Sequence, residues 1–221
     1  MSLRVDFCGI SLKNPLIAGS CDFSRSLPQF RKIVESGVGG IVMKSVTDVE
    51  ALQDPKIARF LCLNPEMEPW RAGEKVGSFY SRGGAMLSLE AWQRIVDGQL
   101  RLAEEQGVLL IGNICATSLE NWRQIAKIME GTGLRAIELN LGNPHYGASA
   151  KPMGASILQK GGALAEVIET VTRSVSIPVI AKLPPPGERH RGSGQHRCAG
   201  RGHGGHHLPP LPGDDHRHPE G

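Results

Sequence analysis

A chain of 221 residues with 40% hydrophobic content is long enough to bury one full core, and its formal charge of +3, with Lys and Arg interspersed among Asp and Glu, argues against nucleic acid or a membrane surface as partner. No stretch approaches the roughly 18 apolar residues of a spanning helix, and the opening MSLRVDFCGISLKN lacks the apolar run of a signal peptide. Five cysteines (Cys8, Cys21, Cys62, Cys115, Cys198), odd in number and without a CxxC pair, argue against disulfides, structural zinc and iron-sulfur ligation, and for a cytoplasmic setting.

In chain order, Pro15 to Ser20 (PLIAGS) reads as a short apolar strand ending in small residues, where the backbone can approach a flat ligand closely. Ser24 or Ser26 then caps a helix with Leu27, Phe30, Ile33 and Val34 at helical spacing, ended by Gly37. Gly40 to Lys44 reads as a strand buried on both faces, with the lysine at its C-terminal end. Residues 48 to 86 have no clear period, and a connection of that length inside a domain is usually a functional excursion or a lid. Rhythm returns with a helix capped by Ser88 and carrying Trp92, Ile95, Val96 and Leu100, a strand from Val108 to Ile114, and a helix with Trp122, Ile125, Ala126 and Met129. The tryptophans of these helices are read as core.

The stretch Ala136 to Gly147 (AIELNLGNPHYG) alternates Ile137, Leu139 and Leu141 against Glu138 and Asn140, then runs into a loop of small and polar residues. A buried amide in a strand needs a partner, so Asn140 reads as a group aimed at a ligand; a capped strand end followed by a turn fits this stretch equally well. A helix with Leu164, Val167, Ile168 and Val171 and a fifth strand, Pro178 to Lys182, complete the pattern. Five strands alternating with four helices predict an α/β fold, with a (β/α)8 TIM barrel as the leading architecture and a doubly wound sheet as runner-up, the latter weakened because no GxGxxG follows the first strand.

From Pro184 onward the composition changes. Residues 184 to 221 hold seven of the eight histidines, nine of the 28 glycines and seven of the 15 prolines, but only two leucines and no Ile, Val, Met or aromatic residue, so the segment is read as a disordered tail. Codon degeneracy allows HHLPPLPGDDHRHPEG to be read from its second base as ITSHRFPGMTIDTRKG, a composition suited to a folded domain. The expectation is a frameshift near Pro186, with residues 1–185 an incomplete barrel truncated after about five strands and 186–221 a non-native tail.

The motifs NPLIAGS, VMKSVT, NI, ELNLGNPH and IPVIAKLPP, each at a strand's C-terminal end, together resemble the dihydroorotate dehydrogenase family of FMN-dependent barrels, including the flavin domain of dihydropyrimidine dehydrogenase. The re-read tail is similar to that family's Asn-Arg-Phe…Asp segment. The resemblance implies FMN as cofactor and oxidation or reduction of a CH-CH bond in a dihydroorotate- or dihydropyrimidine-like ring. It further implies backbone packing of Ala18, Gly19 and Ser20 against the flavin, Lys44 and Ser45 between flavin and substrate, Asn113 and Asn140 as amide contacts, and Lys182 beside the flavin's N1 and C2 oxygen. Surface solvation is the ordinary fate of lysine, but Lys44 and Lys182 directly follow apolar runs, which favours function.

The family's general base is a Cys or Ser; the corresponding position here is Asn143, which has no useful titration, and His145 is the nearby group that titrates near neutrality. Asn143 and His145 are therefore the catalytic and substrate-binding candidates alongside Lys44 and Asn140. Tyr80, Ser81 and Arg82 are lesser candidates for a missing acid or for gripping an anionic substrate; Cys21 and Cys115 are read as small buried residues. A homodimer or an electron-transfer partner subunit fits the resemblance, since the chain has nowhere of its own to pass electrons. The alternatives are an inactive remnant of such an enzyme and a phosphate-binding barrel lyase or isomerase without flavin.

Overall fold

A computed structural model describes residues 2–53, 60–66, 68, 70–81, 85–143, 151–159 and 161–184. The chain opens with a hairpin, β1 (Val5–Phe7) and β2 (Ile10–Leu12), paired antiparallel with Phe7 opposite Ile10. Its two-residue turn, Cys8 and Gly9, has φ of 55° and 79°, the mirror-image turn whose twist matches that of the flanking strands.

The repeating part begins with β3 (Ile17–Ala18), α1 (Leu27–Glu35), β4 (Gly40–Val42) and a short β5 (Val46–Thr47). After an excursion carrying β6 (Phe60–Leu63) and β7 (Ser78–Ser81) come α2 (Leu89–Glu105), β8 (Leu109–Cys115), α3 (Leu119–Gly131), β9 (Ile137–Asn140), α4 (Ala163–Ser174) and β10 (Val179–Lys182). The caps explain several boundaries. Ser88 and Ser118 accept from the backbone N–H of Ala91 and Asn121, satisfying donors that the first turn of each helix leaves unpaired.

In space the strands run β3-β4-β8-β9-β10, every neighbouring pair parallel, and this is also their order along the chain. A doubly wound sheet reverses direction at a switch point; a sheet that always adds its next strand on the same side curls toward closure. The architecture is therefore a half-barrel of five parallel strands, as the β-α rhythm predicts.

The sheet separates two apolar layers. On the helix side, Phe30 and Val34 of α1, Trp92 and Val96 of α2, Trp122, Ile125 and Met129 of α3, and Val167 and Val171 of α4 pack against Ile41, Leu110, Ile114, Ile137, Leu139 and Val179. Fully burying a side chain of this size stabilises the fold by roughly 1.5–3 kcal/mol relative to exposure, so this seam is the main source of stability. The other face carries Val42, Leu109, Ile111 and Ala136, covered by Ile10 and Leu12. Because Leu109 opens β8 and Ala136 directly precedes β9, the hairpin plugs the N-terminal end of the barrel interior. Sequence periodicity missed it, since three-residue strands give too few alternations to register.

The excursion expected as a lid contains the antiparallel β6–β7 hairpin, with Cys62 opposite Phe79. Its two ends are tied together: Met86 N–H donates to the Leu52 carbonyl at 2.8 Å, and both side chains pack with Cys115 and Met153. Trp70, at 38% exposure, is a surface residue whose indole N–H donates to the Glu74 carbonyl, unlike the fully buried Trp92 and Trp122. The expected tail, residues 186–221, lies outside the described residues.

Gly39, just before β4, sits under the strand-entry loop: a Cβ there would lie 2.2 Å from the Asn14 carbonyl oxygen. Gly39→Ala is expected to destabilise the fold by about 1–3 kcal/mol, because rigid backbone must move. Gly131→Ala, at the end of α3 with nothing within 4 Å of the added carbon, is expected to stabilise by about 0.5–1 kcal/mol. Urea midpoints of the two variants measure both.

Candidate functional site

Side chains alternate across a strand, and register partners in a parallel pair share a face. In β9, Ile137 and Leu139 enter the helix-side core, so Glu138 and Asn140 face the barrel interior. Asn113 is the register partner of Glu138, and Lys182 that of Asn140. Four polar side chains from three adjacent strands thus lie on one face, toward the C-terminal ends, beyond the apolar layer of Val42, Leu109 and Ile111.

They are also joined by contacts. Asn113 Nδ2 donates to Glu138 Oε1 at 2.6 Å, and Lys182 Nζ lies 3.6 Å from the same oxygen. Asn140 Nδ2 donates to Ser45 Oγ at 3.1 Å. Asn113 is 0% and Asn140 4% exposed, yet Asn113 Oδ1 and Asn140 Oδ1 have no hydrogen-bond partner. Buried amide oxygens are costly to leave unpaired, by about 1–3 kcal/mol each, and these two lie on one face, able to accept from donors on a ligand.

Lys44 and Ser45 reach the site through a strand irregularity. Between the pairs Val42↔Ile111 and Val46↔Ile114, this strand uses one residue more than its neighbour. The extra residue is a bulge, a device that re-aims side chains at functional rims. Met43 turns to the helix side, where its sulfur accepts from the Trp92 indole N–H at 3.3 Å. Lys44, 8% exposed, donates to Asp22 Oδ1 at 3.0 Å, and Ser45 Oγ meets Asn140. Ala18 is half-buried in β3, with Gly19 and Ser20 directly after it, and a Cβ at Gly19 would meet nothing within 4 Å. The backbone there is open to close approach.

Asn143 is half-buried beyond β9, and its carbonyl accepts from the Ala155 N–H at 3.0 Å. His145 and Arg82 lie outside the described residues, as do the side chains of Tyr80 and Ser81. The sequence pattern therefore points to Asn113, Asn140, Lys182, Ser45 and Lys44 in one region, but misses their acidic counterparts. Glu138 shares parity with Asn140, two residues apart, and that is the available signal. Asp22 has none, because it opens a single 3-10 turn, Asp22–Arg25, after β3. Asp48 is also missed: its Oδ2 accepts from the Thr117 N–H and hydroxyl and from Asn121 Nδ2, tying the end of β5 to the N-terminus of α3.

Burial raises the Glu138 carboxyl above the ordinary range, opposed by the Lys182 ammonium and the Asn113 amide. The Cys115 thiol is pushed up to about 12, chiefly by burial, so it packs as a small apolar residue and supplies no thiolate at neutral pH.

A family model for dihydrouridine synthase (Dus) matches residues 93–184, from within α2 to just past β10. The catalytic subunit of dihydroorotate dehydrogenase B (NAD(+)) from Methanocaldococcus jannaschii is 29% identical over 188 residues, 83% of this chain and 54% of the relative. The subunit of the same name from Endomicrobium trichonymphae is 27% identical over 184 residues, 83% of this chain and 53% of the relative. A solved structure of a variant of NCR from Zymomonas mobilis superposes with a TM-score of 0.49 at 14% identity, covering 85% of this chain and 61% of that one. The chain spans about half the length of the curated relatives it matches. At this moderate identity the chain is homologous to proteins named dihydroorotate dehydrogenase, and over residues 93–184 it is similar to the dihydrouridine synthases. Among the described residues, no helix is long and apolar enough to cross a membrane.

The shifted groups have two measurable effects. Iodoacetamide at pH 8 is expected to leave Cys115 unmodified in the folded chain and to label it in urea, read by peptide mass spectrometry. Since folding raises the Glu138 midpoint, the native form binds more protons than the unfolded chain between the ordinary and raised midpoints, and stability falls as pH climbs through that window. Glu138→Gln is expected to flatten that fall in a series of urea titrations at stepped pH.

Proposed function

We propose that this chain comes from an FMN-dependent oxidoreductase acting on the CH-CH bond of a dihydroorotate- or dihydropyrimidine-like substrate in pyrimidine metabolism. The observation that carries the reading is the interior face itself: two buried, unpartnered amide oxygens beside Lys182, on a parallel half-barrel homologous to flavoenzymes. The matched names add a substrate class, for dihydroorotate and dihydrouridine share a 5,6-dihydropyrimidine ring.

The donor set fits a flavin. Its ring edge offers an N–H beside a carbonyl oxygen, complementary to an amide oxygen beside the Lys182 ammonium. Asn113, Asn140 and Lys182 would hold that edge, Ala18, Gly19 and Ser20 would lie against the ring, and Lys44 with Ser45 would stand at the boundary with substrate. FMN, when bound, supplies a hydride acceptor. Lys182 and Lys44 place positive charge where negative charge develops, a stabilisation that needs no reorganisation during the reaction. Asn143 orients substrate but moves no proton; His145 is the proposed titrating group and Arg82 the proposed grip on an anionic substrate.

In the same reading the protein is cytoplasmic, works as a homodimer or with an electron-transfer partner subunit, and carries after a frameshift near Pro186 a tail, 186–221, foreign to the 1–185 unit. A second reading, a catalytically silent product of the same lineage, is favoured by β3 and β10, each of which has one strand partner among the described residues and so leaves an edge unpaired.

Reconstitution of the full chain with FMN separates them. Yellow protein, bleached anaerobically by dihydroorotate or dihydrouracil, is the expected result, with Lys182→Met weakening FMN binding by about tenfold, the size of one charged contact. Colourless protein after gel filtration overturns the flavin reading. Flavin retained without bleaching favours the silent product, and reading the nucleotide sequence across codon 186 decides the frameshift.

A further inference from the structure

The Glu138 carboxyl lies between ligand-facing groups of two neighbouring strands, yet it makes none of the flavin contacts proposed above. It is two residues before Asn140 on the same face, and 12% of its side chain is accessible. The groups that reach it are Asn113 from β8 and Lys182 from β10; its other strand face is occupied by the apolar residues of β9 packed on the helices. A carboxylate only accepts hydrogen bonds. An amide placed 2.6 Å from it must therefore turn its nitrogen toward the carboxylate, which leaves the amide oxygen pointing away, and in Asn113 that oxygen is the buried atom without a partner. The same logic holds Lys182: its ammonium, 41% accessible and free to swing outward, has its counter-charge here.

We propose that Glu138 is the positioning residue of this face: it turns the Asn113 amide so that Oδ1 accepts from the ligand, and tethers Lys182 beside it. The pair then selects a ring that offers an N–H donor next to a carbonyl or anionic oxygen, the pattern of a cyclic imide. Replacing the carboxylate by a group that can donate removes the constraint, because the Asn113 amide can then turn over and present its nitrogen. Protonation of Glu138 does the same, so the preference for an N–H donor weakens as pH falls through the Glu138 midpoint. This rests on the interior face being the ligand site, as proposed above.

Two measurements on the full chain test it. In the ligand-free protein labelled with 15N-asparagine, the Asn113 side-chain NH2 signals, assigned with Asn113→Asp, are expected to move with a single titration whose midpoint lies above the ordinary carboxylate range. That titration disappears in Glu138→Gln, and in Lys182→Met its midpoint rises, since the cation that favours the carboxylate is gone. Signals that do not respond to pH, or respond equally in Glu138→Gln, overturn the proposal. If Glu138→Gln fails to fold, the midpoint in Lys182→Met decides, and an unmoved midpoint overturns it.

In the second measurement, FMN and FMN methylated at N3 are titrated by flavin fluorescence. Wild type is expected to prefer FMN by about tenfold, the size of one unmade buried hydrogen bond, and Glu138→Gln to lose most of that preference while circular dichroism stays native. Equal binding of the two flavins by wild type overturns the selectivity. Binding of neither defeats the flavin reading, and the amide titration alone then decides the role of Glu138.

Discussion

The parity of three adjacent parallel strands, β8, β9 and β10, is the constraint on which the rest depends. Once Ile137 and Leu139 are committed to the helix-side core, Glu138 and Asn140 have no choice of face, and parallel register brings Asn113 and Lys182 to the same side. A slip of one residue anywhere in this trio would bury the charges among the tryptophans and put the aliphatic side chains in the interior. The apolar seam and the polar site are therefore a single choice of register, and the energy that fixes it comes from the seam.

The two ends of the interior are handled differently. At the N-terminal end the small β1–β2 hairpin supplies Ile10 and Leu12 as a plug, so that Val42, Leu109 and Ile111 are shielded. At the C-terminal end the backbone departs from regularity: the bulge after β4, the turn carrying Asp22, and the long excursion whose ends meet at Leu52 and Met86. Regular structure at one end holds the scaffold, and irregular structure at the other aims Lys44, Ser45 and Asp22.

Charge on this face is arranged in pairs rather than as a free field. Lys44 is matched by Asp22 and Lys182 by Glu138, while the two amides spend their nitrogens on Ser45 and Glu138. The remainder is acceptor capacity, two amide oxygens out of reach of water. That asymmetry is more specific than the presence of two lysines, because acceptor oxygens are complementary to hydrogen-bond donors.

The amino-acid sequence alone determined the β-α rhythm, the helix start set by Ser88, the burial of Trp92 and Trp122, and the cluster of small, amide and lysine residues at strand ends. These are local properties, carried by periodicity, capping and the contrast between apolar runs and the polar residues that end them. Only the tertiary structure decided that the strands add in one direction, that a hairpin of two three-residue strands closes the interior, that the strand after Val42 carries a bulge, and that Asp22 and Glu138 stand against the lysines. Each of these depends on which strand lies beside which, and a residue such as Asp22 acquires its partner across 22 positions of chain, a pairing that no local pattern encodes.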